Sequence, residues 1–369
     1  MTTRILGACS PGEVRVAVVR DGILMDYGIW RPGAPDGVGD VYRGRVIAKV
    51  PAMAGTFVAL GDAEGFLPDS EGAKGLTVGT ILPVRISRAA QGQKGPRLTA
   101  RLSDEEQSAA GAGSAALIRR GPDPLRRFAA QSPKAAILVD DAALAASLRA
   151  DLGERVQRDT GGGLSDEVSA AIDALGEPEV ALQGGGRLSI WPTPALVAID
   201  VDAGRAAGGQ DGHAAINRAI LPALAAQIRL RNLSGAIVVD LAGMSVRKRA
   251  ALGPDLTQAL AADPLRPKFL GFTALGLAEI VRPRVHPPLH ELLRGPLAAG
   301  LAALRAVLAQ HSGPAASLPV LRAAPAVVGA LQSDPVALPD LVRRTGRTII
   351  LRADPALPGD SWVLEPDHA

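Results

Sequence analysis

The sequence contains one cysteine, Cys9. That excludes an internal disulfide and a zinc site built of cysteines alone. Aromatic residues are scarce, at 3%, so each ring carries more information than usual. No uninterrupted apolar run approaches the roughly 18–20 residues that a membrane-spanning helix needs. The opening stretch, MTTRILGACSPGEVRV, has no long apolar core behind a basic cap. The expectation is a soluble, cytoplasmic protein with no membrane partner. A charge bias is lacking too, because 40 Lys and Arg face 37 Asp and Glu, a formal net charge of +3. A polyanionic partner would have to be recognised by a local patch rather than by the overall field.

What is present is length and hydrophobic content. A chain of 369 residues, 47% of them hydrophobic, suffices for two or three cores, since domains usually run to about 100–200 residues. Residues 14–30, VRVAVVRDGILMDYGIW, alternate apolar and polar positions on both sides of Asp21-Gly22, a dipeptide that favours a two-residue hairpin turn. From Gly39 onward, GDVYRGRVIAKV, AGTFVALG, EGFLPDS, TILPVRISRA and PRLTARL read as β-strands separated by Gly, Pro, Asp and Ser. That number of short strands in one compact stretch suits a small closed barrel of the OB type. Residues 104–136, rich in Ala, Gly, Pro and Arg, read as a linker. Beyond them strands and helices alternate: ILVDD and the helix after it, a second short helix between Gly clusters, RLSIWP and ALVAID, a helix over Ala214–Leu230, GAIVVDLAG, a helix over Arg247–Ala262, and LGLAEIVRPRV. The helix over 214–230 presents Ile216, Ile220, Leu224 and Ile228 on one stripe. Alternation of this kind predicts an α/β sheet. After Pro287 the chain becomes Pro-punctuated helix, with a further strand at RTIILRA.

ALVAID and GAIVVD are apolar runs that each end in a carboxylate, Asp200 and Asp240. In an open α/β sheet ligands gather at the carboxyl ends of strands, so the two acids can meet there. Hard oxygen donors on rigid strand ends suit Mg²⁺, which keeps several waters and shares other positions with substrate phosphate. Asp202, two residues beyond Asp200, points to the same side of a continued strand. The competing reading is that each Asp caps a turn after its strand, which is common turn chemistry. DVDAGRAAGG lacks the Lys-Ser/Thr of a phosphate loop. His286 and His290 are separated by Pro287 and Pro288, which disfavours a shared helix face for a metal. In the barrel stretch Tyr42, Phe57 and Phe66 lie among Arg43, Arg45, Lys49, Arg85, Arg88, Lys94 and Arg97. Rings inside a basic groove are how OB folds hold single strands, and rings filling a small barrel's core are the alternative.

Taken in order, VRVAVVRDGILMDYGI, GDVYRGRVIAKV with AGTFVALGDAEGFLP, PTPALVAIDVDAGRA, INRAILPALAAQIRLRNLSGAIVVDLAGM and LGLAEIVRPRV resemble the ribonuclease E/G family, most strongly over 14–102 and 186–285. The resemblance implies an endoribonuclease that cleaves single-stranded RNA in RNA processing or decay by metal-activated water attack on the phosphodiester, with Mg²⁺ (Mn²⁺ as the alternative ion) on Asp200 and Asp240. The family's Asn in the AID-hydrophobic-Asn motif is matched here by Asp202, which joins the catalytic set. Phe57 and Phe66 match its RNA-stacking rings, and Lys94 lies in its KG…LT stretch. Tyr42, Arg97, Arg205 and Asn217 complete the expected RNA-binding residues.

Three family features depart from the pattern. HPPLHELLRGPLAAG stands in place of the paired-cysteine zinc link, so no structural zinc is expected and any oligomer would form by another route. ALIRRG keeps only Arg119 of the 5′-end-binding Arg-Thr motif, with Arg120 in place of Thr. Ala274 replaces a further pocket Arg. No DNA partner is expected. The rival expectation is an RNA-binding protein of rRNA or RNA maturation with weak or lost nuclease activity.

The expected fold class is multidomain α/β. Residues 1–38 form an N-terminal β-hairpin packed on the α/β region, and an OB-fold barrel inserted in or following that hairpin occupies 39–103. A linker and reduced sensor/ribonuclease H-like region spans 104–186. A ribonuclease H-like/deoxyribonuclease I-like catalytic α/β domain spans 187–296, and a small C-terminal α/β domain covers 297–369.

Overall fold

The computed structural model of the chain describes residues 2–92, 94–161, 163–182, 185–204, 209–311 and 318–366. These fall into two compact units. One comprises Met1–Ala34, Phe128–Pro283 and Pro288–Ala369, and the other Pro35–Arg127 with Arg284–Pro287.

The first unit opens with β1 (Thr3–Ser10), β2 (Glu13–Arg20) and β3 (Ile23–Trp30). The expected hairpin is present, with Arg20 opposite Ile23 across Asp21-Gly22. A strand before it, β1, was not anticipated and pairs along the whole length of β2.

The second unit is built on β4 (Val41–Val50), β5 (Gly55–Ala59), β6 (Glu64–Pro68), β7 (Ile81–Arg88) and β8 (Arg97–Thr99). Pairing runs β5-β6-β8-β7-β4 and closes through β5–β4, giving an OB-like barrel on the five runs that the sequence punctuates. Its interior is Val46, Val58, Leu67, Val84, Ile86 and Leu98. Residues 104–136, read as a linker, carry regular elements of their own. They hold α1 (Asp104–Ala110), β9 (Ala116–Arg119) and α2 (Pro124–Gln131). A capping box between Ser103 and Glu106 starts α1, and β9 adds to the edge of β4.

Back in the first unit, β10 (Ala136–Val139), α3 (Ala142–Leu152), β11 (Val156–Arg158) and α4 (Asp166–Asp173) follow. β10 pairs in parallel with β1, completing a sheet of order β11-β10-β1-β2-β3. One side of β2 and β3 buries Ala17, Val19 and Tyr27 against Val168 and Ile172 of α4.

Next come β12 (Glu179–Ala181), β13 (Arg187–Pro192), β14 (Val197–Asp202), α5 (Gly209–Leu230), β15 (Gly235–Asp240), α6 (Val246–Arg249), α7 (Gly253–Leu260), β16 (Lys268–Phe272) and β17 (Ala278–Arg282). The sheet order is β12-β13-β14-β15-β17-β16, with β14 and β15 parallel. The single helix read over 247–262 is two α-helical pieces joined by a 3₁₀ turn at Ala250–Leu252. Val197, Ile199, Val201, Ile237 and Val239 face α5 and α7, where Ile220, Leu221, Leu224, Ile228 and Leu256 complete the core. Strand alternation therefore turns every intervening residue of β14 and β15 to the sheet's other face.

The chain closes with α8 (Leu289–Leu292), α9 (Pro296–Gln310), β18 (Val320–Ala323), α10 (Pro325–Ser333), α11 (Ala337–Thr345), β19 (Leu351–Ala353) and β20 (Trp362–Glu365). Leu301, Leu304, Val327, Leu331 and Leu341 bury the helices against β18. Among the described residues no helix is long and apolar enough to cross a membrane.

Candidate functional site

β14 and β15 end one after the other on the same side of the sheet. The parallel register pairs Val197 with Ile237, Ala198 with Val238, Ile199 with Val239, and Asp200 with Asp240. Residues in register on neighbouring strands share a face and stand about 4.7–4.9 Å apart in the pairing direction. The odd-numbered members are core, so Asp200 and Asp240 both project to solvent on the face opposite α5. Two residues separated by forty positions of sequence become neighbours through one strand pairing. Asp202 lies on the same face, but it is occupied locally. Its Oδ1 accepts from the Gly204 amide at 2.9 Å, and its Oδ2 is 3.6 Å from Arg187 Nη2 on β13.

The backbone that follows Asp240 is clamped from two sides. Asn217 of α5 is fully buried; its amide nitrogen donates to the Ala242 carbonyl at 2.8 Å and its oxygen accepts from the Ala242 amide at 3.1 Å. Expected among the RNA contacts, Asn217 instead commits both ends of its side chain to this turn. Arg249, which the sequence did not single out, supplies the other clamp. Its Nε donates to the Met244 carbonyl at 3.0 Å, and its Nη1 donates to the Gly276 carbonyl at 2.7 Å and to Asp240 Oδ1 at 2.8 Å. The arginine side chain is 11% exposed and the aspartate 53%. Asp240 is thus held through Oδ1 on a side chain that remains half exposed.

The donor set is all carboxylate oxygen, on rigid strand ends, open to water. Among the described residues no group of three or more His, Cys, Asp and Glu is placed to hold a metal. Two carboxylates with open space fit a cation that keeps most of its ligands as water and phosphate, as Mg²⁺ does. They do not form a closed cage.

In the barrel unit the expected RNA-binding residues divide. Phe57 and Phe66 are directly opposite on β5 and β6, with ring centroids 5.6 Å apart in an edge-on arrangement. Gly55 makes room for them, since a side chain there would overlap the Phe66 ring. Arg97 pairs with Phe66 across β6 and β8. Lys94 is exposed in the turn between β7 and β8, and Gly95 after it lies against the Glu64 carbonyl, where no Cβ fits. Tyr42 does not join this group. It sits six residues before Ala48, the β4 partner of Phe57, roughly 20 Å along the strand. Burial and the neighbouring Asp40 raise its pKa. Arg205 lies outside the described residues.

Several basic residues near the barrel are committed to structure. Arg43 donates to the carbonyls of Ala110 and Ser114, and Arg85 pairs with Glu106 at 2.7 Å. The two arginines of ALIRRG are also paired, Arg119 with Glu106 at 2.9 Å and Arg120 with Asp40 at 2.6 Å.

Comparison with known proteins bears on both units. A family profile described as Ribonuclease E/G family matches residues 137–285, the stretch that holds Asp200, Asp240 and Arg249. Ribonuclease E of Nostoc sp. is 37% identical over 129 residues, which cover 34% of this chain and 19% of that protein. Ribonuclease E of Synechocystis sp. is 34% identical over 133 residues, covering 35% and 20%. The chain thus spans about a fifth of the length of these two relatives. Ribonuclease G of Escherichia coli aligns more broadly, at 26% identity over 401 positions, covering 79% of this chain and 82% of that protein. Residues 137–285 of this chain are thus similar to the ribonuclease E/G family, and the relatives it matches are ribonucleases E and G.

Proposed function

We propose that the chain is an endoribonuclease that cuts single-stranded RNA at internal phosphodiesters, acting in RNA processing or decay. The observation that carries this reading is the in-register pairing of Asp200 with Asp240 on the open ends of two parallel strands, within the stretch matched to the family. The six-stranded sheet is read as the deoxyribonuclease I-like part and the sheet containing β1 as the ribonuclease H-like part. The barrel, with Phe57, Phe66, Lys94 and Arg97, holds the strand.

Asp200 and Asp240 present oxygen donors to a divalent cation, Mg²⁺ with Mn²⁺ as the alternative. Bound there, such an ion supplies activation of water and neutralisation of charge on the phosphate. Arg249 fixes Asp240 through Oδ1 and leaves Oδ2 for ligation. The rest of the turn is kept in place by Asn217, so the acid does not have to be ordered when substrate arrives. A water oxygen attacks phosphorus and the P–O3′ bond breaks, leaving a 5′-phosphate and a 3′-hydroxyl.

The test is cleavage of a labelled A/U-rich single strand with Mg²⁺ by wild type, Asp200→Asn and Asp240→Asn, alongside an RNA-binding measurement. Both variants are expected to lose cleavage by at least about a hundredfold while retaining affinity for RNA. Metal-dependent cleavage persisting in both would overturn the assignment. The rival reading, an RNA-binding protein of RNA maturation without efficient catalysis, is favoured by one observation, the acidic Asp202 tied to Arg187 beside the pair. Binding by wild type without any cleavage at high protein concentration would select it.

A further inference from the structure

The barrel carries two aromatic rings and two arginines in one unbroken cross-strand row. Phe57 on β5 is opposite Phe66 on β6, Phe66 is in register with Arg97 on β8, and Arg97 is opposite Arg88 on β7. Residues in register share a face, and the neighbours of this row confirm which face it is. Leu67 and Leu98, adjacent to Phe66 and Arg97, are fully buried in the barrel, so the row runs along the outer wall.

Arg88 reaches that wall only because of a defect in the ladder. Ile86 faces the core opposite Leu98, and regular alternation would turn Arg88, two residues later, inward as well. A β-bulge between Ile86 and Arg88 re-aims the arginine outward, as bulges do. The result is two guanidinium groups directly opposite each other, a placement that costs stability when nothing lies between them. Burial and the charges of Arg97 and Arg284 depress the Arg88 pKa. Arg284 is brought close by the return of the chain, where the Ala89 amide donates to the Val285 carbonyl at 2.9 Å. Among the described residues neither Arg88 nor Arg97 has a carboxylate partner, whereas Arg85 on the same strand is paired with Glu106 and Arg43 on β4 donates to backbone carbonyls.

We infer that the row is the path of the nucleic-acid strand, which crosses the barrel at right angles to its strands. A base packs on the Phe57–Phe66 pair and the adjoining backbone phosphates lie on Arg97 and Arg88. Arg88 is a phosphate-binding residue, and the bulge exists to present it. Three strand spacings separate Phe57 from Arg88, roughly 14 Å, enough for a few nucleotides, the lower end of what one OB fold holds. This inference rests on the reading of the barrel as the RNA-binding unit.

The experiment is a titration of a fluorescently labelled A/U-rich single strand with the full chain over a series of salt concentrations. Wild type, Arg88→Gln, Arg88→Lys and Phe66→Ala are compared, with thermal unfolding as a check on folding. Removing one phosphate contact should reduce the slope of log affinity against log salt by about 0.7 and weaken binding about fivefold at 0.1 M salt. Arg88→Lys should recover most of that slope, since the charge is kept. Phe66→Ala should weaken binding with its slope unchanged, because stacking releases no counterions. If Arg88→Gln superposes on wild type in slope and affinity, the path is wrong while the RNA-binding reading stands. If wild type itself does not bind at low salt, the reading of the barrel fails and the path fails with it.

Discussion

Arg249 and Asp240 form an ion pair in which the arginine is locked and the acid is half free. The guanidinium also donates to two backbone carbonyls, so its position does not depend on the aspartate. Lysine cannot reproduce that fork. Arg249→Lys is therefore expected to lower kcat or metal affinity about 10–100-fold, the usual effect of losing a partner that orients a ligand, with little change in KM for RNA. Arg249→Ala should in addition destabilise the fold by about 1–3 kcal/mol, because the Met244 and Gly276 carbonyls lose their donor. Steady-state kinetics over a Mg²⁺ series and thermal unfolding measure the two effects separately; an unchanged kcat and Mg²⁺ dependence in Arg249→Lys would show that the ion pair is only structural.

Asp202 shares a face with the acidic pair but is engaged with Gly204 and Arg187, which argues against a role as metal ligand. An asparagine can accept the same Gly204 bond through its carbonyl and removes one negative charge from the approach of an anionic strand. Asp202→Asn should raise kcat/KM a few-fold and leave the Mg²⁺ concentration for half-maximal rate within about twofold, by Coulomb interaction at a solvent-exposed site. A large increase in the Mg²⁺ requirement would instead make Asp202 a ligand.

The parts of this fold that were legible in sequence are those where local pattern and burial agree. The barrel strands alternate cleanly between Gly and Pro stops, and Val197 through Val201 and Ile237 through Val239 have the apolar pattern of sheet core. Elements fixed by distant partners were not legible. β9, only four residues long, depends on pairing with β4. α1 is tied by Glu106 to Arg85 and Arg119, contacts that no local window contains. β16 and β20 are likewise short strands that acquire their identity from β17 and β18. Within the site, the convergence of Asp200 and Asp240 follows from two apolar runs ending in acid, while Arg249 reaches Asp240 only after a turn whose shape the sequence does not state. Asn217 did leave a signal. It continues the buried stripe of Leu221, Leu224 and Ile228 by one turn, and a polar residue on such a stripe is expected to be spent on an internal hydrogen bond.

Acid should weaken the first unit through Asp141. This buried residue caps α3 by accepting from the Leu144 amide and joins α3 to α11 through Arg343 and Arg344 at 2.9 and 3.0 Å. Burial alone would raise its pKa, but the amide and the two guanidinium groups outweigh that and hold it below the usual range. A depressed folded-state pKa stabilises above the unfolded value, about 3.9 for Asp, and that stability is lost as pH falls through the lower folded value. Melting temperature should thus drop steeply below about pH 4. Asp141→Asn keeps a competent cap but loses the charged bonds; it should be less stable by about 1–3 kcal/mol at pH 7 and show a shallower acid dependence. An identical acid limb in the variant would assign the loss to other carboxylates.

The 5′ end of the substrate should be ignored. A pocket that senses a terminal monophosphate needs a cation able to leave its resting partner for the phosphate, preferably in a bidentate arrangement. In ALIRRG, Arg119 is bonded to the buried Glu106, which Arg85 and the Ser103 amide also use, and Arg120 is bonded to the buried Asp40, which also accepts from the Gly121 amide. Recruiting either arginine would leave a buried carboxylate short of a donor, a cost of about 1–3 kcal/mol or more that offsets the gain from one surface phosphate contact. Substrates of identical sequence carrying a 5′-monophosphate or a 5′-hydroxyl should therefore be cut at rates within about twofold, since each 1.4 kcal/mol of selective binding would appear as a tenfold preference. A preference of tenfold or more for the monophosphate would mean that the 5′ phosphate draws an arginine out of these pairs, and Asp40→Asn or Glu106→Gln should then strengthen the preference by releasing the one responsible.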